Sequence, residues 1–361
     1  MSIFKFTAHL IFSLLALWIT HRAFKSDPKL RRVLSGVLVL EFVLFLVWIL
    51  LGAGDGLYLA FNNFWVATAT FDALFGILAF GLLLFYRKGW HEYANRAYAG
   101  ALILTVVFVG IGHQNTVNPR LTVYEEKLTE GTPKDSLKIL LVTDLHIGKI
   151  IGAEHIARLR KMAVKEKPDY LVFAGDMIDR EVSYALRPEV FAEMKRLVAE
   201  AVPEGHTFFV LGNHEYYADT AEKLVWIKSL GTLLRDSVVK LPGEKVYFIG
   251  RDSGIGNRRR AEMSALLSQV PAGAPAVIVA HEPEEYGEPE VTDRPLLVLH
   301  GHTHAGQHIL FRPFLYIKAP HAYGRIPKGS ATHIISSGYG VSTSTIRIGT
   351  QSEAVLICLK Y

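Results

Sequence analysis

Lys138-Ile139-Leu140-Leu141-Val142-Thr143-Asp144-Leu145-His146 is the stretch that decides the fold. An apolar run rich in branched residues passes directly into an aspartate and a histidine. The same succession recurs down the chain. Tyr170-Leu171-Val172-Phe173 runs into Gly175-Asp176, and Phe208-Phe209-Val210-Leu211 into Gly212-Asn213-His214-Glu215. Ala276–Ala280 precedes His281-Glu282-Pro283, and Leu296–Leu299 precedes His300 and Gly301-His302-Thr303-His304. Short continuous apolar runs of this kind read as strands covered on both faces. Helical periods fit Glu154–Glu166, Pro188–Ala201, Thr220–Ser229 and Arg260–Ser268, with further strands at Leu121–Tyr124, Thr332–Ser336 and around Cys358. Strand–helix alternation predicts an α/β domain. In such sheets ligands gather beyond the carboxyl ends of the strands, where all five polar clusters lie.

The clusters offer Asp144, His146, Asp176, Asn213, His281, His302 and His304: oxygen and nitrogen donors suited to two neighbouring divalent cations. Asp144 and His146 alternate along an extended chain and can face the same way, while Gly175 allows a tight backbone beside Asp176. Two cations roughly 3.5–4 Å apart serve in-line displacement at phosphorus. Each short motif has a plainer reading, since an aspartate at a strand end is more often a helix cap than a ligand. Gly-Asn-His-Glu and Gly-His-Thr-His are more specific, and the ordered succession after five strands decides for a metal site. The lone Cys358 has no internal disulfide partner and reads as a small buried hydrophobe.

The order D-x-H, GD-x-x-D-R (Gly175 to Arg180), GNHE, H-E-P and GHTH-x-GQ resembles the calcineurin-like metallophosphoesterases, more narrowly a bacterial membrane-associated branch with a D-L-H opening. The resemblance covers Lys138–Leu359. It implies two mixed β-sheets packed face to face and flanked by helices. It also implies a metal-dependent phosphoric ester hydrolase, either a phosphodiesterase or a phosphomonoesterase. By resemblance, Asp144, His146, Asp176 and His304 hold one cation, and Asp176, Asn213, His281 and His302 the other. A hydroxide between them attacks phosphorus in line, while the catalytic residue His214 protonates or stabilises the leaving oxygen. The mixed donors suit Mn²⁺ (manganese), Fe or Zn²⁺. Glu215 stands where the wider family commonly has Asp, and His300 where a small residue is usual.

Other residues carry weaker readings. Asp179-Arg180 is read as an ion pair shaping the loop after Asp176. Arg251 and the run Arg258-Arg259-Arg260 are candidate substrate contacts that clasp phosphate, although a charge run at a helix start is more often a solvated face. Gly338-Tyr339-Gly340 resembles a late family loop near the pocket.

The N-terminal third has a different composition. Ile3–Thr20, Val33–Gly52, Phe64–Tyr86 and Tyr93–Gly112 are apolar, each close to the roughly 20 residues of a membrane-crossing helix. They predict a transmembrane region of four helices over 1–112, a juxtamembrane linker over 113–137 and a metallophosphoesterase domain over 138–361. Lys and Arg cluster after the first and third stretches, which puts those loops in the cytoplasm and the catalytic domain on the extracytoplasmic side of a multi-pass cell-membrane protein. Glu41 and Asp72 fall inside the second and third stretches, where a paired or protonated carboxyl is expected. The expected partners are therefore the lipid bilayer and a phosphate-containing substrate, with a lipid or lipid-linked one favoured by the anchor. Residues 1–112 hold nine of the 39 Lys/Arg and five of the 34 Asp/Glu, leaving 30 and 29 for the nearly neutral remainder. That balance gives no support for nucleic-acid binding. Oligomeric state is not legible. The alternative functions are a metal-binding scaffold without catalysis, and a sensor or transport protein centred on the membrane half.

Overall fold

The computed structural model describes residues 107–129, 132–133, 135–257, 259–283, 295–309, 312–319, 321–342 and 346–361, with scattered positions between 14 and 104. Its strands, in chain order, are β1 (Arg120–Lys127), β2 (Ser136–Val142), β3 (Tyr170–Ala174), β4 (Thr207–Val210), β5 (Thr232–Leu233) and β6 (Ser237–Lys240). They continue with β7 (Tyr247–Gly250), β8 (Ala276–Val279), β9 (Leu296–His300), β10 (Gly324–Lys328), β11 (Ala331–Ile335) and β12 (Glu353–Lys360). The helices between them are α1 (Ala153–Glu166), α2 (Pro188–Ala201), α3 (Thr220–Lys228), α4 (Met263–Leu267) and α5 (Arg312–Lys318).

Two mixed six-stranded sheets result, in the orders β1-β12-β2-β3-β4-β5 and β10-β11-β9-β8-β7-β6. In the first, β2, β3, β4 and β5 run parallel, and β12 enters antiparallel to β2 and parallel to β1. In the second, β7, β8, β9 and β11 run parallel between antiparallel edge strands β6 and β10. The two-residue side-chain period of a strand assigns every core residue to a layer. Ile139, Leu141, Tyr170, Val172, Val277, Val279, Leu297 and Leu299 meet in one core shared by the two sheets. Their neighbours Leu140, Val142, Leu171 and Phe173 pack with Ile156 and Leu159 of α1 and Met194 and Leu197 of α2. Ala276, Ile278, Leu296 and Val298 pack with Met263 and Leu266 of α4. Both faces of the parallel strands are thus dry, which is why they read as continuous apolar runs.

The helices obey local rules. Pro188 starts α2 at a position where its missing N–H costs nothing, and Val202 leaves in an extended conformation. Lys167, left-handed at φ 50°, closes α1 by donating its N–H to Ala163. Helix α4 is shorter than its sequence period because Ala261 is held outside it, its N–H on Asp236 and its carbonyl on Arg251. Residues read as a juxtamembrane segment include β1, which pairs along its whole length with β12.

The expectation of a four-helix transmembrane region is corrected. Among the described residues no helix is long and apolar enough to cross a membrane, which also removes the multi-pass membrane location built on it. Hydropathy counts apolar residues, whereas a span also needs about 20 of them in one continuous helix. Most of the four apolar stretches, with Glu41 and Asp72, lie outside the described residues.

The shared core should dominate stability. Phe248 is fully buried, with its ring 5.3 Å from Phe208 and 6.0 Å from Tyr170. Phe248→Ala is expected to cost about 3–5 kcal/mol in urea unfolding. Val225→Ala, at a residue 69% exposed on α3, should stay within about 0.5 kcal/mol.

Candidate metal centre

Every donor picked from the sequence stands in a loop leaving the carboxyl end of a strand. Asp144 and His146 follow β2, Asp176 follows β3, Asn213 follows β4, His281 follows β8, and His302 and His304 follow β9. The backbone there is strained. Asp144, His146, Asp176, His302 and His304 all have positive φ, between 48° and 69°. Left-handed backbone costs a residue with a Cβ about 1–2 kcal/mol, and such residues cluster at functional sites. Backbone bonds hold the loops together: Asp144 N–H donates to Gly175 O (3.1 Å), His146 N–H to Asp176 O (2.9 Å) and Gly301 N–H to His281 O (3.0 Å). Two glycines permit the approach. A Cβ on Gly212 would overlap Asp176 Oδ1, and one on Gly301 would overlap Asp144 Oδ2.

The side chains converge into two neighbouring sets. Asp144, His146 and His304 form one, and Asp176, His281 and His302 the other, with the ligand atoms of each set within 4.8 Å of one another. Asp176 Oδ2 lies 3.1 Å from His281 Nε2 and 3.7 Å from His146 Nε2, so it reaches both sets. Asp144 Oδ1 lies 3.4 Å from His304 Nε2 and 3.9 Å from His281 Nε2. His281 Nδ1 lies 2.8 Å from Ala174 O, the contact that fixes a ring to present Nε2 as a lone pair. Asn213 is nearly buried, and its Oδ1 has no hydrogen-bond partner among the described residues. An orphaned buried carbonyl oxygen calls for an explanation, and a cation provides one. Carboxylate, imidazole and amide oxygen are the donors divalent ions such as Mn²⁺, Fe²⁺ and Zn²⁺ accept, so the residues fit the two-cation site the fold implies.

The electrostatics agree. Burial alone would raise the Asp176 pKa, yet His281, with His146 and His214, holds it well below the usual carboxylate range. Burial alone would lower His281, but Asp176 and then Asp144 raise it well above the usual histidine value. His146 is pushed down to about 3 by burial, against the pull of Asp176. His304 is driven well down by burial and the adjacent Arg347 guanidinium, and His302 is lowered by burial and His281. Without a cation, one proton on His281 is what the carboxylates can recruit.

His214 sits at the edge of this centre. Its Nδ1 lies 2.6 Å from Asp179 O and 3.2 Å from Asp179 Oδ1, and its Nε2 points toward Asp176 Oδ2 at 3.9 Å. Burial lowers its pKa, but the hydrogen bond to Asp179 and the charge of Asp176 outweigh this and raise it. Asp179, read from sequence as a loop-shaping partner of Arg180, faces His214 and also His146 Nδ1 at 3.6 Å.

Three buried residues with no assigned role in the sequence hold the centre together. Glu215 accepts from the N–H groups of Asp176 (2.9 Å), Met177 (2.8 Å), Ile178 (3.2 Å) and Gly212 (2.8 Å), tying two loops with one carboxylate. Burial and Asp176 push its pKa up to about 7, opposition that a cation on Asp176 would relieve. Lys223 donates to His214 O at 2.7 Å. Arg347 donates to the carbonyls of Ser337 (2.7 Å) and Gly340 (2.6 Å), behind His304. Glu215 had a readable signal, its position three residues after the Gly212 cap of a helical turn; Lys223 and Arg347 had none. Of the candidate phosphate clasps, Arg251 is buried, bonded to Ala261 O and 3.7 Å from Asp236, and turned away from solvent. Arg258 lies outside the described residues.

Residues 137–306 match the calcineurin-like phosphoesterase family model, and all three groups of side chains that could hold a metal ion, the two above and His146, Asp179 and His214, lie within that span. The chain carries a calcineurin-like phosphoesterase domain. It is the domain of metal-dependent phosphoester hydrolases. A Danio rerio "transmembrane protein with metallophosphoesterase domain" is 28% identical over 72% of this chain, which spans 62% of that protein's length. An uncharacterized metallophosphoesterase of Aquifex aeolicus is 27% identical, matching 72% of this chain and 98% of its own length. One from Helicobacter pylori is 26% identical over 66% of this chain and 62% of its own.

A cation held at His281 Nε2 would compete with the proton that Asp176 and Asp144 favour there. Calorimetric titration with Mn²⁺ at pH 7 in buffers of different ionisation enthalpy should report release of about one proton, with affinity falling as pH drops. Glu215→Gln, which turns donors onto donors, should cost at least about 1–3 kcal/mol in urea unfolding.

Proposed function

We propose that this chain hydrolyses a phosphate ester or pyrophosphate bond by in-line displacement at a two-cation centre. The observation that carries the reading is the convergence of two buried carboxylates, four imidazoles and one unpartnered amide oxygen from five strand ends. Asp144, His146 and His304 hold one cation, Asn213, His281 and His302 the other, and Asp176 reaches both. That allocation follows the family resemblance, and the two sets of neighbouring ligand atoms support it. When bound, Mn²⁺, Fe or Zn²⁺ supplies Lewis acidity toward the phosphoryl oxygens and an activated water.

The chain's own groups do the rest. Strained loops and the Glu215 carboxylate fix the donors before anything binds, so little reorganisation accompanies the reaction. His214 stands beside Asp176 with its Nδ1 on Asp179, leaving Nε2 to carry a proton toward the leaving oxygen. The hydrogen bond to Asp179 and the charge of Asp176 favour its protonated form. The lipid-linked substrate expected from the membrane region loses its support with that region, so the proposal stops at the phosphoester.

With Mn²⁺ and generic nitrophenyl phosphate mono- and diesters, turnover is expected, abolished by a chelator and by Asp176→Asn. His214→Ala should lower kcat by about 10²–10⁴-fold. Since the protonated form of His214 is the active one, the rate should fall as pH rises through its pKa. Asp179→Asn removes a cause of the upward shift and should move that fall to lower pH. Full turnover by His214→Ala would refute its role.

A further inference from the structure

Tyr217 has no part in the reading above, yet it bonds Asn213 and packs beside His214. It closes the helical turn Asn213–Tyr216. The ring is 53% exposed and lies 4.6 Å from the His214 ring, tilted by 48°. Its hydroxyl oxygen accepts a 2.5 Å hydrogen bond from Asn213 Nδ2.

The direction of that bond follows from the chemistry of the amide. An asparagine presents an oxygen at one end and two N–H donors at the other, and only the oxygen can face a cation. Asn213 Oδ1 is the buried, unpartnered atom. With a cation on Oδ1, the NH₂ end must face Tyr217, so the phenol must accept. A phenol that accepts still carries its own proton. Among the described residues none is seen to accept that proton, while the ring that carries it packs against His214, the group assigned to the leaving oxygen.

We propose that Tyr217 is a substrate-contacting residue, whose hydroxyl, freed as a donor by its bond from Asn213, gives a hydrogen bond to an oxygen of the bound phosphoester. One amide then serves both ends of the site: its oxygen is left for the cation while its NH₂ holds the tyrosine hydroxyl as a donor toward substrate. This rests on the phosphoesterase reading. It adds a contact made by oxygen chemistry alone, so inorganic phosphate should feel it as well as an ester.

Tyr217→Phe keeps the ring and removes only the hydroxyl. Both proteins would be titrated with Mn²⁺ by calorimetry, and at saturating Mn²⁺ the inhibition constant for inorganic phosphate and the kcat/KM for a nitrophenyl ester would be measured. The expected result is two ions bound by both proteins, with phosphate inhibition and kcat/KM each weakened about 10–100-fold in the variant, the worth of one hydrogen bond to a charged group. Unchanged phosphate inhibition with two ions bound would overturn the proposal. So would a variant that cannot hold the second ion even in excess Mn²⁺, because the tyrosine would then act through Asn213 alone. Failure of the reading beneath it looks different: the unaltered protein itself would neither turn over esters nor bind phosphate.

Discussion

Asp144 and Asp176 have almost no contact with solvent, and their neighbours are mainly imidazoles whose own burial disfavours positive charge. Burying an ionised carboxylate is expensive unless positive charge accompanies it. Among the described residues the nearest source is a proton on His281, 3.1 Å from Asp176, with His214 beside it at 3.9 Å. A proton compensates one carboxylate. The centre is therefore built around a deficit of positive charge, and its backbone strain, its glycines and the Glu215 staple all make sense as ways of holding that deficit in place.

Holding it falls to parts with no chemistry of their own. Four backbone N–H groups converge on Glu215, so the loops after β3 and β4 cannot separate without stranding a buried carboxylate. On the other side, Arg347 gathers the carbonyls of the late Gly338–Gly340 loop, whose N–H groups at Tyr339 and Gly340 bond Thr143 O and Asp144 O at 2.8 Å each. Donors on the two sheets are thus joined by backbone and by buried charge, the arrangement that gives a preorganised site its precision.

What the sequence made legible and what it hid follow from one distinction. Strands β2, β3, β4, β8 and β9 were readable because both faces are dry, and α2 because Pro188 marks its start. Edge strand β10, Gly324–Lys328, carries Pro327 and two cationic residues, a pattern that suits an edge and hides a strand. The seven candidate donors could be picked from residue type and position after a strand, and they stand in loops at the carboxyl ends of five strands. Arg251, picked as a phosphate clasp for its charge, packs its guanidinium inward against Ala261 and Asp236. Tyr217, Lys223 and Arg347 lie outside the quoted motifs and reach them through bonds that exist only after folding. The membrane reading of 1–112 rested on hydropathy alone, and among the described residues no helix is long and apolar enough to cross a membrane.

The most direct test is anomalous diffraction at the manganese edge from crystals grown with Mn²⁺. The account predicts two peaks, one among Asp144, His146 and His304 and one among Asn213, His281 and His302, with Asp176 touching both. No peak among these residues, or a single peak that leaves Asn213 Oδ1 without a partner, would contradict it.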